Sequence, residues 1–171
     1  ELLSWYGPRM PRALETFAKR PDLRPALRGE LLQWVADLRA FGARAPVEGL
    51  EAGRKLAQET EAASAGGREH AMLVRFEIAS GALLRYVASL PDGDARAAEA
   101  YYWLGVIESR VGRSFWLSQA EPYLEASIRL APGDPLAPKA YALLEEFVVG
   151  GYSGSSGEHV PGDVKAWLAE L

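Results

Sequence analysis

The sequence predicts an all-α fold of about seven helices, arranged as antiparallel pairs that stack on one another. Apolar residues recur at three- and four-residue spacing in successive segments, and clusters of Gly and Pro separate these segments. No segment alternates apolar and polar residues as a half-buried strand does. The chain has 171 residues, of which 49% are hydrophobic and 25% charged, as is typical of folded globular proteins. We therefore expect a single domain over residues 1–171, with an N-terminal helical segment over 1–45 and helix pairs over 46–171.

The first half of the chain predicts three helices. Apolar residues at helical spacing mark the first over about 25–41, and Gly42 is a suitable end for it. Pro46 fits the first turn of the second helix, which the pair Gly66-Gly67 ends. The third, over about 68–90, has a broad apolar stripe, which indicates a helix covered on more than one side.

The second half predicts four more helices. The first covers about 94–111, and the next covers about 118–130 with Pro122 in its first turn. A third follows over about 136–150, and a short C-terminal helix over 163–171 caps the domain. An apolar stripe on that last helix leaves open an alternative role in oligomer formation.

Part of the second half repeats. At a shift of 39 positions Tyr102 aligns with Tyr141, Leu104 with Leu143, Gly112 with Gly151 and Ser114 with Ser153. Similar helix ends, Leu90-Pro91-Asp92-Gly93 and Ala131-Pro132-Gly133-Asp134, follow at a nearby shift. The repeating unit is therefore predicted to be a helix pair of roughly 40 residues, which must stack to bury its apolar faces.

One stretch of about 38 residues, 98–135, resembles a tetratricopeptide repeat. The residues that carry the resemblance are Ala98-Glu99-Ala100-Tyr101-Tyr102-Trp103-Leu104-Gly105, Gly112, Ala120, Leu124 and Leu130-Ala131-Pro132-Gly133-Asp134. The resemblance implies that Leu104 and Gly105 allow close helix contact, that Ala120 is the small residue of the second helix, and that Pro132 ends the repeat. About three extra residues near 114–117 depart from the pattern. Such repeats are scaffolds or adaptors with a concave groove for peptides or partner proteins.

A Gly- and Ser-rich loop follows the sixth predicted helix. If the helix pairs stack in register, the turns within the pairs lie along one edge, which brings residues 113–116 near residues 152–159. Hydroxyl, imidazole and flexible backbone groups suit hydrogen bonding to a small polar or anionic ligand, whereas loop composition favours the simpler reading of a linker to the capping helix. The predicted ligand- or partner-binding residues are Tyr102, Arg113, Trp116, Tyr152, Ser153, Ser155 and His159.

Metal binding and catalysis are not predicted. His70 and His159 are the only histidines, and the chain has no cysteine and no HExxH motif to complete a metal site. Ser153, Ser155, His159 and Asp163 could supply a triad, but no G-x-S-x-G elbow presents the serine. We therefore expect no cofactor.

Charge and hydropathy restrict the partners. The net charge of −4 gives no overall basic field for nucleic acid, and the apolar runs are too short for membrane insertion. The leading interpretation is a non-catalytic module that binds a protein or peptide. The alternative is an extracytoplasmic solute- or metal-binding accessory protein of an uptake system that uses the 150–160 loop. Because the chain begins at Glu1 without Met, a removed signal peptide is one interpretation, and both the cytoplasm and the periplasm stay open.

Overall fold

The computed structural model describes residues 9–111, 118–154 and 157–171. Within them the chain forms eight α-helices: α1 Arg9–Ala18, α2 Pro25–Gly42, α3 Gly49–Ser64, α4 Leu73–Ala88, α5 Ala98–Val111, α6 Ala120–Leu130, α7 Ala137–Gly151 and α8 Gly162–Ala169. Two short 3-10 helices, His70–Met72 and Ala95–Ala97, lead into α4 and α5. Residues Ser153–Gly154 (β1) pair antiparallel with Gly157–Glu158 (β2). The prediction of an all-α fold with about seven helices is confirmed.

Several helices begin at residues other than those predicted. The sequence predicts no helix before residue 25, yet residues Arg9–Ala18 form α1, with Pro11 buried in it, because the helix packs against α2. Helix α3 begins at Gly49 and not at Pro46, since Glu48 is still extended with φ −134°. Helix α6 begins at Ala120, which places Pro122 in the first turn as expected. None of the described helices combines the length and the apolar character that crossing a bilayer requires.

The chain divides into two compact units, Glu1–Ala82 and Leu83–Leu171, and the dividing point lies within α4. In the first unit α1 packs on α2, and the 3-10 helix at 70–72 contacts both α2 and α3. The Trp34 indole N–H donates a hydrogen bond of 2.5 Å to the carbonyl of His70. Buried Asp37 accepts hydrogen bonds from Arg75 Nε at 2.9 Å and from Gln33 Nε2 at 3.1 Å, so its charge is compensated.

In the second unit α5 packs on α6 and α6 packs on α7. The core of α6, α7 and α8 consists of Leu124, Ile128, Ala140, Leu144, Val148 and Leu168. Helix α5 approaches α6 closely at Gly105, where an added Cβ would lie only 2.5 Å from Cγ and Cδ2 of Leu124. Trp167 of α8 donates its indole N–H to Glu125 of α6 at 3.3 Å. These contacts tie the C-terminal helix to the pair before it.

The turns before α5 and α7 have the same hydrogen bonds at a spacing of 40 positions. The backbone N–H of Asp94 donates to Pro91, and its carbonyl and carboxylate accept from Ala97 and Arg96. At the second turn the Asp134 N–H donates to Ala131, while its carbonyl and carboxylate accept from Ala137 and Leu136.

Identical residues follow the same spacing of 40 positions. They pair Gly93 with Gly133, Asp94 with Asp134, Ala97 with Ala137, Ala100 with Ala140, Tyr101 with Tyr141 and Leu104 with Leu144. The three alanine and leucine pairs of the helices are buried in both copies. A shift of 40 therefore describes hydrogen bonding and burial together, whereas the shift of 39 chosen from the sequence matches neither turn.

Candidate functional site

The predicted loop after α7 forms a small hairpin. The N–H of His159 donates to the carbonyl of Tyr152 at 3.1 Å, and β1 pairs with β2 between them. The Ser153 hydroxyl donates to the carbonyl of Val149 at 2.8 Å, and the same carbonyl also accepts from the backbone N–H of Tyr152 at 3.0 Å. The side chains of Tyr152, Ser153 and His159 are exposed. The polar groups that would hold a ligand are thus partly used to close the loop.

The remaining predicted site residues divide into two groups. Arg113, Trp116 and Ser155 lie outside the described residues, so the expected meeting of residues 113–116 with the hairpin stays a prediction. Tyr102 is half-buried on α5, where it packs against the core of the second unit and meets Trp103 edge-on at 5.1 Å between ring centroids. The structure brings Tyr152, Ser153 and His159 together.

The described residues form no cluster of metal-ligating side chains. Over residues 9–111, 118–154 and 157–171, no three His, Asp or Glu side chains converge as ligands for a metal ion. His70 lies in the first unit, at the 3-10 helix before α4, and His159 lies in the second.

A groove lies at the turn between α4 and α5, and we call it the turn groove. Its volume is about 300 Å³. The residues that line it are Val87, Leu90, Pro91, Asp92, Gly93, Asp94, Ala97, Tyr101, Ala126, Arg129 and Leu130. Gly93, with φ +76°, allows the chain to turn sharply at the rim. The groove is therefore walled by apolar side chains of three elements and edged by polar ones.

Charged groups at the rim of the turn groove are fixed by ion pairs. Asp94 binds Arg96 through Nη2 at 2.6 Å and also accepts from its backbone N–H at 2.9 Å. These hydrogen bonds lower the pKa of Asp94 from 3.8 to about 2, so the carboxylate is charged at neutral pH. Arg129 is paired with Glu125 at 2.7 Å. Asp92 forms no ion pair with any described residue, which leaves the rim with one uncompensated negative charge.

Tyr101 forms part of the wall of the turn groove. Its ring lies 6.0 Å from that of Tyr123, at an interplanar angle of 31°. Burial raises the pKa of Tyr123, and Glu108 adds to that effect. Within the described residues the hydroxyl of Tyr101 forms no hydrogen bond, so the contribution of Tyr101 to the groove is its apolar ring.

A second groove, the α1–α2 groove, lies in the first unit. It is open, with a volume of about 540 Å³, and is lined by Glu15, Ala18, Lys19, Pro21, Arg28 and Leu32. Leu32 is 49% exposed although it is a large apolar side chain. The Arg28 guanidinium forms part of the wall and donates through Nη2 to the carbonyl of Arg20 at 2.9 Å.

Neither groove is predicted from the sequence. The segment Pro91-Asp92-Gly93-Asp94 predicts only the end of a helix, and α1 is not predicted at all. The signal that points to the turn groove is the pair of aspartates flanking a glycine before an alanine-rich helix start, which indicates a capped turn.

Comparisons of the chain with protein-family models, with curated proteins and with solved structures give no match.

Proposed function

We propose that the chain is a non-catalytic binding module that holds a peptide segment of a partner protein in the turn groove. The observation that carries the proposal is the groove itself: its walls are apolar and include the Tyr101 ring, and its rim holds Asp92, which pairs with no cation of the described residues. Apolar burial would supply the affinity, and the polar groups would orient the peptide.

The size of the turn groove favours a side chain over a whole metabolite. Its volume of about 300 Å³ is at the lower limit of small-molecule sites, which span roughly 300–1,000 Å³ and enclose most of their ligand. A peptide needs to bury only one or two side chains there while its backbone stays at the surface. A peptide is therefore the occupant that we propose for the turn groove.

We further propose that α5–α6 is a tetratricopeptide-like helix pair, and that α7, which packs on α6 after an equivalent turn, begins a second one. Support comes from the tight approach of Gly105 to Leu124, from the burial of Leu104 and Ala120, and from the equivalent turns at Asp94 and Asp134. The extra residues near 114–117 lie outside the described part of the chain. A repeat of this kind would support the proposal of a scaffold or adaptor role over catalysis.

Solute or metal binding by the hairpin after α7 is not proposed. Ser153 donates its hydroxyl to α7, and the carbonyl of Tyr152 accepts from His159, so these groups stabilise the loop. No observation on the described residues favours this second function.

A peptide-display selection on the purified chain tests the proposal. Enriched peptides are expected to share an apolar residue, and their binding should weaken by about tenfold or more in Ala126→Arg, which fills the groove with a charged side chain. The matched control is Ala142→Arg, an exposed alanine on α7 outside the groove. Fluorescence anisotropy with the selected peptides measures both affinities.

Two outcomes would reject peptide binding in the turn groove. One is a selection that enriches no peptide. The other is equal binding by Ala126→Arg and Ala142→Arg, which would place the binding surface elsewhere. Thermal melts of both variants, followed by circular dichroism, exclude loss of the fold as the cause.

A further inference from the structure

The α1–α2 groove carries exposed apolar surface. The described residues contain four large hydrophobic side chains that are strongly exposed, Phe17, Leu32, Leu84 and Tyr152, and two of them belong to α1 and α2. Leu32 lines the groove, with Pro21 and Ala18 beside it. Phe17 is 42% exposed and lies under the guanidinium of Arg20, at 5.3 Å from the ring centroid.

The segment that forms this groove is also basic. Residues 9–28 contain six basic and two acidic side chains, although the whole chain has a net charge of −4. Both acidic groups are neutralised: Asp22 by Arg20 at 2.7 Å and Glu15 by Arg39 at 2.8 Å. The basic side chains are Arg9, Arg12, Lys19, Arg20, Arg24 and Arg28.

Most of these basic groups are available to a partner. Arg9, Arg12, Lys19 and Arg24 form no ion pair with any residue that the structure describes. Lys19 and Arg28 line the groove itself, where the only acidic group, Glu15, is already paired. The groove therefore combines apolar surface with uncompensated positive charge.

From this combination we infer that the α1–α2 groove docks an acidic segment of a partner protein. An apolar side chain of that segment packs on Leu32, and its carboxylates meet Lys19 and Arg28. The assignment goes beyond the turn groove, because this groove belongs to the other unit and has the opposite charge. With both grooves occupied, the chain would join two partners of different chemistry.

Other anionic occupants fit the groove less well. A membrane-binding surface needs apolar side chains that project into the bilayer, whereas Leu32 lines the wall of a groove. A phosphate backbone contacts basic groups and gains nothing from Leu32, Pro21 and Ala18. A second copy of the chain could offer acidic surface, since residues 83–171 hold 12 acidic and 7 basic side chains. These occupants are distinguished by the experiment.

The test uses the full chain and two sets of fluorescein-labelled short peptides. In one set Asp and Glu flank a central Leu or Phe, and in the other Lys replaces every acid. The acidic set is expected to bind, more weakly as salt is raised, and the basic set is not. Lys19→Glu and Leu32→Asp should each weaken binding by about tenfold, because one reverses the charge and the other removes the apolar contact.

Matched controls separate the groove from general electrostatics. Arg44→Glu makes the same charge change at an exposed position after α2, and Leu84→Asp makes the same apolar-to-acid change on α4. Both should keep the affinity of the parent chain. Ala126→Arg in the turn groove should also keep the affinity for the acidic peptides. If the proposal for one groove fails, the proposal for the other groove can therefore still be tested.

Four results would overturn the assignment. Equal binding of acidic and basic peptides, or equal loss in Lys19→Glu and Arg44→Glu, would show that no specific groove site exists. Binding to anionic vesicles that Leu32→Asp abolishes, without peptide binding, would make the occupant a membrane. Sedimentation showing self-association that Lys19→Glu abolishes, again without peptide binding, would make it a second copy.

Discussion

The closest helix contact of the second unit makes Gly105→Ala an informative substitution. An added Cβ would lie 2.5 Å from both Cγ and Cδ2 of Leu124 and 3.4 Å from its backbone nitrogen. Carbon atoms in contact are normally about 3.5–4.0 Å apart, so α5 and α6 must separate by roughly 1 Å or Leu124 must move. Leu124 is fully buried, and closely packed protein interiors leave little room for a side chain to move.

The expected cost of Gly105→Ala follows from two opposing terms. Overpacking a core by one methyl group costs about 1–3 kcal/mol, while replacing a helical glycine by alanine gains up to about 1 kcal/mol. Gly150→Ala isolates the second term, because Gly150 is an exposed residue of α7 with open space at its Cβ. Gly105→Ala should therefore be less stable than Gly150→Ala by about 1–3 kcal/mol.

Native-state hydrogen exchange of the amides of α5 and α6 is the appropriate assay, because it reports on the second unit by itself. A double variant adds a further check. Leu124→Ala alone should cost about 2–5 kcal/mol, yet combined with Gly105→Ala the total should be smaller than the sum, since the shortened side chain leaves room for the new methyl group. If Gly105→Ala proves as stable as Gly150→Ala, the close packing of α5 on α6 is wrong.

Three further predictions concern charge and core. Arg96→Ala should raise the pKa of Asp94 from about 2 toward 3.8, as measured by NMR titration of its carboxyl carbon. The lowered pKa stabilises the fold above pH 3.8, and this stabilisation is lost as the pH falls toward 2. The variant should therefore lose less stability than the parent chain between pH 3.8 and pH 2. Arg75→Met should lower the stability of the first unit by about 1–3 kcal/mol in urea unfolding, because it removes the guanidinium that pairs with buried Asp37. An unchanged unfolding midpoint would count against the Arg75–Asp37 ion pair. Leu144→Ala should lower the stability of the second unit by about 2–5 kcal/mol by hydrogen exchange, and a loss well below that range would mean that the site can collapse around the cavity.

Apolar periodicity predicts α2 to α7 well, because each of these helices buries a continuous stripe. It fails for α1, where Pro11 and the charged residues around it resemble a loop although the helix is held by packing against α2. It also places the start of α3 too early, since Pro46 fits a first turn but equally fits an extended segment.

The candidate sites are less predictable than the helices, because a groove depends on how distant segments meet. The turn groove combines Asp94 of the turn with Ala126 and Arg129 of α6, and no local pattern joins these positions. In the loop after α7 the sequence correctly marks an exposed, polar segment. It gives no sign that Ser153 is engaged with the end of α7, because that bond exists only once the helix has formed.

The equivalent turns at Asp94 and Asp134 give the chain interchangeable boundaries. Segment 94–133 begins at one capped turn and ends just before another with the same backbone acceptors, 40 positions later. If that segment were copied in tandem, the new junction would have the backbone hydrogen bonds of the existing turns. Alanine and leucine would already occupy the buried positions that follow it. Lengthening the chain in this way needs no new junction to be designed, and each added copy would repeat Tyr101, Ala126 and Arg129, three of the residues that line the turn groove.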